Sequence, residues 1–220
     1  MVMNPIAKRT ISALTTAALV VLAIIYAPTK WILPAFSVLI ALVVLEYGSL
    51  VIRKYGRSFR ALGPFLLGAI LIMTCLSALP AIAAHHGNLM MLYIIAIIKI
   101  SDMGGFAAGV STAKLMKGGN HKMCPTISPN KSWEGLAGSV AASCILSCCF
   151  MPITGFVWYK ALAFGVTAAL VGTFGDLVES KFKRWVGVKD SSTFMPAGMG
   201  GLLDMFDSLL FAPAVLLPFI

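Results

Sequence analysis

Charge is scarce in this 220-residue chain: Asp, Glu, Lys and Arg together supply 11% of it, and only eight residues are acidic. Soluble domains draw about a quarter of their residues from these four types, so an ordinary water-solvated globule is excluded. Cysteine and histidine are also few. Cys75, Cys124, Cys144, Cys148 and Cys149 have no metal-ligand spacing, and most lie in apolar stretches where cysteine behaves as a small hydrophobe. Neither a disulfide framework nor a zinc site is indicated. His85, His86 and His121 show no ligand spacing either. No repeat or low-complexity tract appears, and residues 1–220 read as a single domain.

Hydrocarbon is what the chain has in abundance, with 59% hydrophobic residues. Stretches near the ~20 apolar residues that cross a bilayer fall at 11–28, 31–52, 61–84, 89–109, 135–154, 157–179 and 200–219. The predicted fold is all-α: a polytopic transmembrane helical bundle of about seven spans. Lys8 and Arg9 precede the first span as they would in a signal peptide. That apolar run is long, though, and lacks a small-residue cleavage site, so it reads as a helix.

The formal net charge of +9 reflects topology, and no nucleic-acid partner is expected. With a cytoplasmic N-terminus, the inside segments hold Lys8, Arg9, Arg53, Lys54, Arg57, Arg60, Lys114, Lys117, Lys122, Lys131, Lys181, Lys183, Arg184 and Lys189, which is 14 of the 17 basic residues. Lys30 and Lys160 fall outside and Lys99 within a span, so the positive-inside rule selects this orientation. The two long loops, 110–134 and 180–199, are then cytoplasmic. All eight acids (Glu46, Asp102, Glu134, Asp176, Glu179, Asp190, Asp204, Asp207) lie in cytoplasmic loops or the cytoplasmic half of a span. A carboxylate at membrane depth costs at least ~2.5 kcal/mol on insertion scales, so such acids need partners or a wet cavity and mark candidate sites.

Asp204 and Asp207 are three residues apart at the start of the last span, and Asp176 and Glu179 repeat that spacing at the end of the sixth. Each pair shares a helix face. Two anions forced together in a poorly solvated place repel, and a divalent cation relieves the repulsion. Between the pairs stand Lys181, Lys183, Arg184, Lys189 and Asp190, so acids for Mg²⁺ sit beside cations for phosphate. Gly200 and Gly201 let backbone amides approach a phosphate at the start of the last helix. The run Ser128-Pro129-Asn130-Lys131-Ser132-Trp133-Glu134-Gly135 has the composition of a binding loop, or of a helix start with Ser132 as N-cap and Trp133 as an interfacial aromatic. Lys99 and Asp102 either neutralise each other in the membrane or serve a substrate.

These motifs, in this order, resemble the phosphatidate cytidylyltransferases, or CDP-diacylglycerol synthases, over nearly the whole chain. The likeness is strongest at Ser180, Lys183, Arg184, Lys189, Asp190, Pro196, Gly198, Gly200, Gly201, Asp204 and Asp207. Gly175-Asp176 with Glu179, the 128–135 loop, and Asp102 with Gly109 are further landmarks. Three positions depart from the family pattern: Met199 replaces a His, Met205 replaces an Arg, and Ala197 is inserted after Pro196. The carboxylates and most cations of the signature remain.

The resemblance implies that CTP and phosphatidate give CDP-diacylglycerol and pyrophosphate. It implies Mg²⁺ held by Asp176, Asp204 and Asp207, with Glu179 and Asp190 orienting the cations or holding a second cation. Lys183, Arg184 and Lys189 bind phosphate oxygens, and Ser128, Lys131, Ser132, Trp133, Glu134, Asp102, Gly200 and Gly201 contact substrate. A compact chain without a targeting extension leads us to expect the lipid bilayer of a bacterial inner membrane, the charge distribution a cytoplasm-facing site, and the resemblance a homodimer. The same cations and metal would serve a polyprenol kinase or an ether-lipid CDP synthase, and intramembrane acids alone would suit an ion-coupled transporter.

Overall fold

The computed structural model describes residues 21–116, 118–188, 191 and 201–220, and nearly all of that is helix. Residues 21–26 are helical and lead into α1 (Thr29–Tyr55), which carries Arg53 and Lys54 in its last turn. It stops at Gly56, whose φ of 67° is open to glycine and strained for other residues. A 3₁₀ turn (Phe59–Ala61) opens α2 (Leu62–Leu76), and α3 (Ala78–His86) follows after Ser77. Then come α4 (Asn88–Leu115), β1 (Lys122–Cys124), β2 (Ser128–Ser132), α5 (Trp133–Cys149), the short α6 (Met151–Thr154) and α7 (Trp158–Val186). The chain closes with α8 (Leu202–Phe206), α9 (Ala212–Leu216) and a 3₁₀ turn (Leu217–Phe219).

Among the described residues four lengths are long and apolar enough to cross a membrane: Thr29–Tyr55, Phe59–His86, Asn88–Leu115 and Trp158–Val186, each of 27 to 29 residues. At the helical rise such a rod measures about 40 Å, longer than a hydrocarbon core of about 30 Å, so its polar ends project into the interface. Large apolar side chains face outward all round, Leu67 at 72%, Phe106 at 75% and Leu115 at 80% exposure, which suits hydrocarbon and not water.

Two expectations need revision, and a third falls mostly on residues that are not described. The predicted span 11–28 lies mostly outside the described residues. The predicted span 200–219 is not one helix, because α8 ends at Phe206 and α9 begins at Ala212. Two local causes break it. The Ser208 N–H donates to Asp207 Oδ1 at 2.6 Å, competing with the helical ladder, and Pro213 has no N–H to offer the preceding turn. The all-α expectation, finally, misses an antiparallel hairpin in loop 110–134, where Lys122 faces Ser132 and Cys124 faces Ser128.

The tightest packing lies between α4, α5 and α7. Gly135, Ser139, Ser143 and Ser147 recur every fourth residue on α5 and are all buried, which is a small-residue stripe suited to close helix approach in a bilayer. The approach is at backbone contact: a Cβ on Gly138 would meet the Gly104 carbonyl at 2.7 Å, and one on Gly104 would meet the Gly138 carbonyl at 2.8 Å. Serine hydroxyls on this seam turn back on their own helix, as Ser143 Oγ donates to the Ser139 carbonyl at 2.8 Å. At the end away from the polar residues, the buried Tyr93 hydroxyl lies 2.7 Å from Ser147 Oγ, and its ring stacks on Phe150 and Phe164, both at 5.5 Å.

Gly138→Val therefore overpacks a seam already closed by the Ala108 methyl and the Gly104 carbonyl. The expected cost is about 1–3 kcal/mol, seen as a lower thermal midpoint of the protein in detergent. Gly63→Ala, where nothing lies within 4 Å, leaves the midpoint unchanged or slightly raised.

Candidate active site

The hairpin is folded back over the polar end of α4 by contacts that its sequence supplies. Asn120 Nδ2 donates to the Gly109 carbonyl at 2.6 Å and to Ser132 Oγ at 3.3 Å. Ser132 Oγ also accepts the Gly135 N–H at 3.1 Å, so Ser132 is the N-cap of α5. Glu134 Oε1 meets His121 Nδ1 at 2.6 Å and accepts the His121 N–H at 3.1 Å. These contacts with His121 hold the Glu134 carboxyl, which precedes the apolar run from Gly135, down at about 2. His121 thus has a structural role that its isolated place in the sequence does not reveal.

With both ends fixed, β2 aims Lys131 into the bundle. Its ammonium sits 2.6 Å from Asp176 Oδ2 on α7, and both side chains are about four-fifths shielded. Lys131 and Asp176 border a cavity of about 270 Å³ that Asp102, Ser128, Ser132 and Thr173 also line. Ser128, Lys131, Ser132, Asp102 and Asp176 therefore gather as the sequence predicts. Trp133 and Glu134 do not line this cavity: Trp133 is 58% exposed and Glu134 faces His121. Arg184 is exposed on the last turn of α7. Lys189, Asp190 and Gly200 lie outside the described residues.

The acids expected at one metal divide into two groups. Asp207, in the turn after α8, stands close enough to Asp176 and Asp102 for their charges to repel. The approach is tight, since a Cβ on Gly175 would meet the Asp207 carbonyl at 2.5 Å. Lys99 joins this group, 3.8 Å from Asp102 Oδ2, and donates to Ser208 Oγ at 3.0 Å and to the Met205 carbonyl at 3.2 Å. Three carboxylates thus face two ammoniums, Lys99 and Lys131. In the second group Lys183 lies 2.7 Å from Glu179 Oε2 and 3.0 Å from Asp204 Oδ1, so two carboxylates share one ammonium. Short as it is, α8 connects the groups, with Asp204 in its first turn and Asp207 just past its end.

An excess of carboxylate in a shielded place favours a cation. Asp176 Oδ1 is buried with no hydrogen-bond partner among the described residues, which leaves it available as a ligand. Among the described residues no three acids, histidines or cysteines are gathered closely enough to cage an ion unaided. Mg²⁺ fits such a site, because it commonly takes one or two carboxylates and completes its shell with water and substrate phosphate.

The profile of the cytidylyltransferase family matches residues 1–220. The phosphatidate cytidylyltransferase of Staphylococcus aureus (strain COL) is 43% identical over 122 residues, covering 54% of this chain and 44% of that protein. Those of Mycobacterium bovis (strain ATCC BAA-935 / AF2122/97) and Mycobacterium tuberculosis (strain ATCC 25618 / H37Rv) are 45% identical over 121 residues, covering 53% of this chain and 36% and 34% of those proteins. The aligned stretch spans less than half the length of each relative.

The depressed Glu134 carboxyl gives the hairpin a defined acid limit. Ionised Glu134 favours the folded state fully above its ordinary value near 4.5, and that contribution fades as pH drops through about 2. The thermal midpoint of the wild type should exceed that of Glu134→Gln by a constant margin at neutral pH, and the margin should close only in that acid range.

Proposed function

Because the chain belongs to the cytidylyltransferase family, we propose that it transfers CMP from CTP to phosphatidate, giving CDP-diacylglycerol and pyrophosphate in phospholipid synthesis. The observation that carries this reading is the Lys131–Asp176 pair at the wall of a cavity beside an acid-rich turn, where polar helix ends meet the interface. The names of the S. aureus and mycobacterial relatives supply the reaction.

In the step itself, a phosphate oxygen of phosphatidate attacks the α-phosphorus of CTP. The bond from that phosphorus to the oxygen bridging the α- and β-phosphates breaks, and pyrophosphate leaves with the electron pair. The nucleophile is already an anion, so no general base is assigned. Catalysis then rests on positioning and charge. Lys131 and Lys183 each stand beside carboxylates that hold them in place, and each ammonium is placed to meet phosphate oxygens. Arg184 and Lys189 supplement them. Mg²⁺, held by Asp176 and Asp207, would neutralise phosphate charge. The group of Glu179, Asp204 and Lys183 completes the centre, with Asp204 fixing the Lys183 ammonium or joining a second cation.

The chain works as one multi-pass membrane-embedded unit with the N-terminus and the site at the cytoplasmic face of a bacterial inner membrane. The crowding of basic residues at that face supports this orientation. A homodimer is the expected assembly.

Incubating the purified protein in detergent with phosphatidate, Mg²⁺ and CTP labelled at the α-phosphate should place label in the lipid and release pyrophosphate. Lipid labelled only from γ-labelled CTP would instead indicate a kinase. Asp176→Asn should lower turnover by about 10²-fold or more while the protein elutes unchanged on size exclusion. Near-wild-type turnover in that variant would remove Asp176 from the centre.

A further inference from the structure

Among the described acids, Glu46 is the one that the reaction and its placement so far leave without a role. It lies in the middle of α1 with no exposed surface, on the same face as the buried Val43 and Leu50. A carboxylate is a poor choice for such a place if only volume is needed, because leucine would fill it without the penalty of burying charge. Its Oε2 accepts the N–H of Leu203, 157 residues away in sequence, at 2.8 Å.

That amide belongs to the first turn of α8, the turn that carries Asp204. Asp204 Oδ2 accepts the N–H of Gly201 at 2.8 Å and of Ser191 at 3.2 Å, and its Oδ1 meets Lys183 at 3.0 Å. Two carboxylates therefore grip one turn, one from its own third residue and one from a helix at the other end of the sequence. Gly201 is wedged between these elements, since a Cβ there would collide with the Glu46 carboxylate and the Ser191 hydroxyl. With five residues, α8 is too short to hold its own orientation, so what grips its first turn sets where Asp204 points.

We propose that Glu46 is a positioning residue that acts through the Leu203 amide to hold Asp204 against Lys183 and Glu179. This rests on the reading that Asp204 belongs to the centre where CMP is transferred.

The test uses the full chain in detergent, as wild type, Glu46→Leu and Glu46→Gln, with amide hydrogen exchange and turnover read in parallel. In Glu46→Leu the 201–205 amides should exchange about tenfold faster, with the α4 and α5 amides unchanged, as when a local turn is released from an otherwise intact fold. Turnover should fall about tenfold and KM for CTP change by less than about twofold, the scale of losing one charge-assisted hydrogen bond at a positioned group. Glu46→Gln keeps an oxygen for the Leu203 N–H and should restore both readouts to within about threefold of wild type. Should Glu46→Leu fail to fold, Gly201→Ala carries the test, because it pushes the turn away with Glu46 still present and should show the same local exchange and loss of turnover.

Unchanged exchange at 201–205 in a folded Glu46→Leu, or a glutamine variant as impaired as the leucine one, overturns the proposal. A wild-type protein without cytidylyltransferase activity would overturn the functional reading instead, and the exchange data would still decide whether Glu46 holds the turn.

Discussion

The ammonium of Lys131 meets Asp176 at 2.6 Å, tying the hairpin to the polar end of α7. Removing one partner of this largely shielded pair leaves the other charge poorly compensated. The contacts of Asn120, Ser132, Glu134 and His121 serve to bring Lys131 to that place, and the cavity exists because the strand holding Lys131 roofs the space beside α4 and α7. Electrostatics in low dielectric thus acts at the polar end of the bundle together with packing, since Val186, Val188 and Leu203 share a buried hydrophobic cluster with Leu50.

The same logic orders the acids. Asp102, Asp176 and Asp207 repel one another and are balanced only in part by Lys99 and Lys131, while Glu179 and Asp204 divide Lys183 between them. Each group is left with more carboxylate than ammonium. A site so composed is poised for a ligand that brings both cations and phosphate, whereas a purely structural network would be expected to close its balance internally.

Much of the helical content and the rough position of the site are legible in the sequence, because length of apolar run and placement of charge follow directly from solvation in a bilayer. Asp102, Ser128, Lys131, Ser132 and Asp176 converge as their types and order suggest. What sequence could not give is pairing over distance. The spacing of Asp204 and Asp207 places them on one face, yet the end of α8 sends them to different partners. The hairpin at 122–132 escapes notice because its strands are short and the second, Ser128–Ser132, is polar and contains Pro129, contrary to strand preferences. Lys99 is weighed with Asp102 from spacing alone, whereas the role of His121 shows only through its contact with Glu134. The repeat of Gly135, Ser139, Ser143 and Ser147 was present as a signal, a four-residue period of small side chains hidden within an apolar stretch.

That stripe has a bearing on how the chain tolerates change over time. On the outer surface any bulky aliphatic or aromatic group is as good as another, since lipid tails adapt to whatever shape they meet. Where α4 and α5 touch, the opposing surface is main chain and the short side chains of alanine and serine, and neither can adapt. Substitutions are therefore free to accumulate around the circumference while the inner contact is restricted to glycine, alanine and serine, so that the parts of the sequence that look least distinctive are the ones least open to replacement.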